Sequence, residues 1–381
     1  MTTGGGSSLV IPQHLLPDDG RFGCGPSKVP AVALSRLSQD GGRLMGTSHR
    51  QAPVRTLVGR VKDGLRQLFQ LPPEYEVVLG NGGATCFWDI ATLALIEHKS
   101  QHAVFGEFSS KFAQAVCGAP HLDAPEIVET EPGKRPLPYI SSEVDAYCLT
   151  QNETSTGVSM PIRRLGGERQ LMLVDATSAA GGMEIDIDQT DAYYFSPQKC
   201  FASDGGLWLA ILSPNALDRS RRLCSSDRWV PAFLNLWTAV ENSRLDQTVN
   251  TPAVATLFLM AEQLEWTLSQ GGLSWAAARC RESARALYGW AEGTDYATPF
   301  VAESEDRSPV VATVDFDESI SAIEVSSVLR QNGVVDTDSY RKLGRNQLRI
   351  GLFPAVDPVD VGRLTTTIDW VVQELRAGGH S

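Results

Sequence analysis

The sequence has no C-x-x-C, no H-E-x-x-H and no glycine loop ending in G-K-[ST], so the usual residue spacings of zinc ribbons, zincins and P-loops are missing. Its seven cysteines are odd in number and scattered, which argues against a disulfide framework and for a reducing compartment, the cytoplasm. No apolar run reaches membrane-spanning length, and the first residues, MTTGGGSSLV, lack the charged and apolar regions of a signal peptide. Positive charge is scarce: 33 Lys and Arg stand against 45 Asp and Glu, a formal net charge of −12. Such a surface disfavours nucleic acid and anionic membranes as partners, leaving small anions wherever basic residues cluster. No internal repeat is present.

What the chain does have is alternation. Short apolar runs predict strands over 76–80, 102–106, 146–150, 171–175, 192–195 and 207–212. Amphipathic stretches predict helices over 84–97, 109–117, 252–269, 274–290, 319–331 and 358–376. This pattern implies an α/β fold with a mostly parallel sheet flanked by helices. Gly271–Gly272 breaks the pattern, and the hundred or so residues beyond it read as a smaller α+β unit. The expected division is a flexible Gly/Ser-rich tail over 1–20, a large domain over 21–270 and a small C-terminal domain over 271–381.

In open α/β sheets, ligands bind beyond the carboxyl ends of the strands, so the residues there carry the functional reading. After 76–80 comes NGGAT, where Gly83 and Ala84 suit the approach of an anion to backbone N–H groups, and Thr85 suits either a helix cap or a phosphate contact. An ordinary strand–helix turn is the alternative. After 102–106 come Glu107 and Phe108, a ring able to cover a flat ligand or simply to pack. After 146–150 comes QNETSTG, polar enough to form a turn or to bind a ligand. Its Asn152-Glu153-Thr154 sequon is set aside for want of a secretion signal. Strand 171–175 ends in Asp175, an acid that burial makes costly unless it is paired. Strand 192–195 leads into SPQKC, with Lys199 one crossover later. A lysine in that position can condense with an aldehyde if its surroundings keep the amine uncharged. A phosphate cradle, a covering aromatic, an acid and a lysine, in this order along the chain, are the parts needed to hold pyridoxal 5′-phosphate.

The segments FGCGPSKVP (22–30), GTSHR (46–50), GNGGAT (80–85), NETSTG (152–157), VDATSAAGG (174–182), SPQKCF (196–201), NTP (250–252) and RIGLFP (349–354) together resemble the phosphoserine aminotransferases, class V members of the fold-type I pyridoxal phosphate enzymes. The resemblance implies that Lys199 forms the imine, with Asp175 on the ring nitrogen and Thr154 near the ring hydroxyl. It further implies Gln198, Gly83, Ala84 and Thr85 on the cofactor phosphate and Phe108 over the ring. Asn250 and Thr251 would reach the phosphate from the other subunit of a homodimer with shared active sites. Read locally, Thr251 and Pro252 also suit a helix N-cap and first turn. Arg349 would clamp the substrate α-carboxylate, and His49 and Arg50 would bind the substrate phosphate across the interface. Many bacterial members carry Trp where Phe108 stands, and some carry Arg where Thr85 stands. A His-Arg pair often precedes the carboxylate arginine closely. Here SYRKLGRNQLR is longer, leaving Arg341 as the candidate, with Lys342 or Arg345 helping.

The expected activity is transfer of the amino group of glutamate to 3-phosphohydroxypyruvate, giving O-phospho-L-serine and 2-oxoglutarate. A second role on a phosphorylated hydroxythreonine precursor in vitamin B6 synthesis is open. The rivals are an alanine–glyoxylate type aminotransferase, which does not need His49, Arg50 and the basic run, and a non-catalytic phosphate-ligand binder. A cysteine desulfurase is disfavoured because no cysteine follows Cys280.

Overall fold

The computed structural model describes residues 9–378. The large sheet is built from β1 (Glu76–Asn81), β2 (Ser100–Val104), β3 (Glu126–Glu129), β4 (Ala146–Thr150), β7 (Leu171–Asp175), β8 (Ala192–Phe195) and β9 (Leu207–Leu212), with a short β5–β6 hairpin (Asn152–Glu153, Val158–Ser159) beyond β4. Its order is β1-β9-β8-β7-β4-β2-β3, and only β9 runs against the rest. The strands read as unbroken apolar runs because both faces are covered. Along β7 and β8, Leu173 and Tyr194 turn to one core, while Val174, Tyr193 and Phe195 turn to the other.

The helices are α1 (Ala31–Asp40), α2 (Ala52–Leu68), α3 (Ala84–Ala94), α4 (Glu107–Cys117), α5 (Pro214–Cys224), α6 (Leu236–Arg244), α7 (Val254–Gln270), α8 (Gly272–Gly293), α9 (Ala322–Gln331) and α10 (Pro358–Gly378). On one face of the sheet, Leu57, Val61 and Leu65 of α2 pack with Leu257, Met260 and Leu264 of α7. On the other, α3 to α6 supply Phe87, Ile90, Phe112, Leu217 and Leu236. The C-terminal unit has its own core, where α8, α9 and α10 pack on a three-stranded antiparallel sheet, β10 (Ala297–Pro299), β11 (Val311–Phe316) and β12 (Gln347–Gly351).

Several expectations shift. The flexible tail expected over 1–20 is corrected from residue 9 onward, since residues 1–8 lie outside the described ones. Ile11 is buried in the C-terminal core, its N–H donates to Asn332, and the Thr367 hydroxyl donates to the Leu15 carbonyl. The second strand begins at Ser100 rather than 102, because polar Ser100 and Gln101 are buried and paired, Ser100 with His102 and Gln101 with Glu126. Helix α7 begins at Val254, capped by Ala253, not at Thr251 and Pro252. The Thr251 carbonyl is held instead by the Asn81 amide, at 2.8 Å.

Leu209 of β9 is fully buried between β1 and β8. Leu209→Ala leaves a cavity there, and the expected loss is about 2–5 kcal/mol. Urea unfolding of the cofactor-free protein, followed by tryptophan fluorescence, measures it.

Candidate active site

Strands β1, β2, β4, β7 and β8 run in one direction, so their carboxyl ends open on the same edge of the sheet. A cavity of about 360 Å³ lies there, within the range of small-molecule sites. Lys199, Asp175, Thr154 and Gln198 line it, as do Gly83, Ala84 and Thr85, and Phe108 and Arg349. The structure thus brings nine of the expected residues to one place.

Lys199 is 6 % exposed, and its Nζ donates to the Thr154 hydroxyl at 2.8 Å. Thr154 in turn donates to Ser178 Oγ, which also receives the Asn152 amide. Loss of hydration lowers the Lys199 amine to about 8. The nearby Asp175 works against that shift and Arg349 adds to it. Gly25 leaves the space for this side chain. A Cβ there would stand 2.9 Å from Lys199 Cε, and the residue's φ of +148° already disfavours any other amino acid.

Asp175 ends β7 with both oxygens occupied. Oδ2 accepts from the Trp88 indole N–H at 2.8 Å and Oδ1 from the Thr177 N–H at 2.9 Å. A buried carboxylate so held is fixed in the wall of the cavity, placed to pair with a cationic ring nitrogen. Trp88 is a site residue that sequence reasoning missed, since an aromatic inside an apolar helix looks like any core residue.

Phe108 sits in the first turn of α4, its ring centroid 5.2 Å from Lys199 Nζ. Glu153, fully buried, positions it. The carboxylate accepts from the Phe108 and Ser109 N–H groups, from the Ser155 N–H, and from both serine hydroxyls. It caps α4 from another loop and starts the helix two residues earlier than the pattern at 109 suggests. Gly106 must be glycine for this approach, because a Cβ would lie 2.4 Å from Glu153 Cγ. In the sequence Glu153 passes as one polar residue of a turn.

At the end of β1 the N-cap of α3 is Gly83, so Thr85 is not the cap but a first-turn residue. The Ala84 N–H meets Ser196 Oγ at 2.7 Å. Gln198 Oε1, Thr177 Oγ1, Asn152 Oδ1 and Arg349 Nε are buried, line or flank the cavity, and find no partner among the described residues. The donors and acceptors left over, together with the helix N-terminus, Asp175 and Lys199, fit a phosphorylated pyridine aldehyde: pyridoxal phosphate.

A second cavity, about 870 Å³, adjoins the first and shares Cys24, Gly25, Pro26 and Arg349 with it. Arg341 and Arg345 line it. Arg345 is paired with Asp315, and Lys342 with Glu107. Among the described residues, the Arg341 guanidinium has no such partner. His49, Arg50, Asn250 and Thr251 line neither cavity. They lie together on the surface, His49 Nδ1 3.3 Å from Thr251 Oγ1 and Arg50 bonded to Gln247.

Comparison with known proteins agrees with this geometry. Residues 23–337 match the family model of class-V aminotransferases. A phosphoserine aminotransferase of Nocardioides is 58% identical over 371 residues, covering 97% of this chain and 99% of that protein. One from Rhodococcus opacus is 54% identical over 370 residues, covering 97% and 99%. Among solved structures, a phosphoserine aminotransferase from Cytophaga hutchinsonii superposes with a TM-score of 0.85 at 26% identity, over 92% of this chain and 99% of that one. Similarity that runs so evenly from end to end leaves one assignment: the chain belongs to the class-V aminotransferases and, within them, to the phosphoserine aminotransferase family.

Proposed function

We propose that this enzyme transfers the amino group of L-glutamate to 3-phosphohydroxypyruvate, giving O-phospho-L-serine and 2-oxoglutarate, with pyridoxal phosphate as cofactor. The observation that carries the reading is the buried Lys199 amine, held between Thr154 and the Phe108 ring at the foot of a cleft that is walled further out by Arg349 and Arg341. When bound, pyridoxal phosphate supplies an aldehyde for amines and a ring that withdraws the electron pair left at a substrate Cα.

The rest is the work of the chain. Burial keeps Lys199 Nζ uncharged in a useful fraction of molecules near neutral pH, so its lone pair is available to the aldehyde. With the cofactor bound, the same Nζ would be placed to take the proton from a substrate Cα and to return one. Asp175, fixed by Trp88 and Thr177, would pair with the ring nitrogen. Gln198, Gly83, Ala84 and Thr85 would hold the cofactor phosphate. Arg349 binds the α-carboxylate through its free N–H edge. Arg341, unpaired where Lys342 and Arg345 are neutralised, is our choice for the distal anion. That anion is a phosphate in one half-reaction and the glutamate side-chain carboxylate in the other, so one cleft serves both substrates. An alanine–glyoxylate enzyme has no use for this outer cation.

We propose that His49, Arg50, Asn250 and Thr251 act in the active site of a second copy of the chain. Their grouping on an exposed face, away from their own cavities, supports this. The free cysteines fit a cytoplasmic enzyme, and no described helix is long and apolar enough to cross a membrane.

Lys199→Ala abolishes transamination and the absorbance of the lysine-linked cofactor; full turnover in that variant would end the mechanism. Because the uncharged amine is the reactive form and burial has lowered it to about 8, cofactor uptake by the apo-protein accelerates with pH and is half-maximal near 8. A stopped-flow absorbance series in which the rise is centred near the ordinary lysine value would contradict this. Arg50→Ala weakens turnover of phosphoserine more than that of unphosphorylated amino acids. Mixing it, through unfolding and refolding, with inactive Lys199→Ala restores phosphoserine turnover if Arg50 acts across the interface. Mixtures no more active than Arg50→Ala alone would place it in its own site.

A further inference from the structure

Between Phe108 and Arg349 stands a residue without an assigned role. Tyr340 lines the inner cavity, its ring centroid 6.1 Å from that of Phe108 and 5.2 Å from the guanidinium carbon of Arg349. We infer that Tyr340 is a positioning residue for the substrate α-carboxylate, fixing the plane of the Arg349 guanidinium before substrate arrives. The inference rests on Arg349 being the carboxylate clamp.

The environment of Arg349 supports it. The side chain rises from β12 and crosses to the large domain, where one terminal N–H donates to the Thr154 carbonyl at 3.1 Å. Its Nε is buried without a partner, and among the described residues no carboxylate pairs with it. Among the described residues, an edge bond to Thr154 and the face of Tyr340 hold this guanidinium, on a residue that lines both cavities. A planar cation on a long, many-jointed side chain loses orientation easily. A π face against it restricts the plane while occupying none of its N–H groups. Affinity gained this way comes from ordering the receptor in advance.

The chain on either side of Tyr340 is tied down by residues two positions away. On one side Lys342 pairs with Glu107, the neighbour of Phe108. On the other, Asp338 receives the Ser326 hydroxyl and pairs with Arg330. The ring thus joins the aromatic cover above Lys199 to the carboxylate clamp. It is a fixed strut between the reacting end of the cleft and the recognising end.

The test uses the holoenzyme with Tyr340→Leu, Tyr340→Phe and Arg349→Gln. Steady-state KM and kcat are measured for L-glutamate and O-phospho-L-serine, and dead-end binding of 2-oxoglutarate to the aldehyde form is titrated by absorbance, with inorganic phosphate as the probe lacking a carboxylate. Tyr340→Leu raises KM for both amino donors and weakens 2-oxoglutarate by about five- to tenfold, the range of a partly desolvated cation–π contact. Its kcat falls less than its KM rises, and inorganic phosphate binding changes less than 2-oxoglutarate binding. Tyr340→Phe, which retains the ring face, restores most of the lost affinity. If the loss in Tyr340→Leu is confined to phosphoserine and inorganic phosphate, or if Tyr340→Phe is as damaged as Tyr340→Leu, the inference is overturned. Should Tyr340→Leu fail to hold cofactor, Tyr340→Met, unbranched and better able to fill the length of the lost ring, carries the same comparison. Arg349→Gln separates the two levels of argument. If it spares both donors, the clamp assignment itself falls; if it cripples both while Tyr340→Leu does nothing, only the role of Tyr340 falls.

Discussion

An amine kept out of water is the constraint on which this structure is arranged. Among the described residues Lys199 Nζ has one hydrogen-bond partner, the Thr154 hydroxyl, and that hydroxyl is fixed by Ser178 and Asn152 behind it. Charging the amine in such surroundings is unfavourable. Asp175 stands near enough to oppose full neutralisation, and Arg349 near enough to favour it. The balance leaves the lysine able to exist in both protonation states close to neutral pH, as its proposed role of attacking and then ferrying protons requires.

The sheet makes this possible by concentrating loop ends. Six strands finish at one edge, and five of them each deliver a different chemical part: a glycine turn, an aromatic, a hydroxyl, an acid and the lysine. None of the loops is rigid by itself. Glu153 shows how they are fixed to each other: a buried carboxylate from the loop after β4 caps the helix after β2 and so sets the height of Phe108 over Lys199. Removing that carboxylate leaves several buried N–H and hydroxyl groups unsatisfied, a larger cost than the bonds themselves contribute.

The sequence reveals the sheet well, because strands buried on both faces, such as LMLVD and AYYF, stand out as apolar blocks, and Asp175 and Lys199 are visible as charges following them. It conceals what acts at a distance. Trp88 bonds Asp175 from a helix whose apolar residues all look alike. Glu153 hides in a polar turn, and Tyr340 precedes a basic run that draws attention to itself. Ser100 and Gln101 disguised the start of a buried strand because their partners come from elsewhere. Periodicity reports burial, whereas pairing across the fold leaves no periodic mark. The charges of the 341–349 run were legible as a group, but only the ion pairs of Lys342 and Arg345 single out Arg341.

The lone reversed strand has a further consequence. β9 follows the lysine segment directly and lies antiparallel to β8, with Phe195 opposite Leu209. The chain from Ser196 to Gly206 is therefore pinned at both ends to neighbouring strands, whereas the glycine turn and the Phe108 loop run on into the helices α3 and α4. An insertion beside Lys199 has nowhere to go without unpicking a ladder at the heart of the sheet. Length changes at the other rims are absorbed in solvent. Such a scaffold has one immovable reference point and an adjustable perimeter, an arrangement in which new substrate preferences can arise by altering the perimeter while the bond-making atom keeps its place.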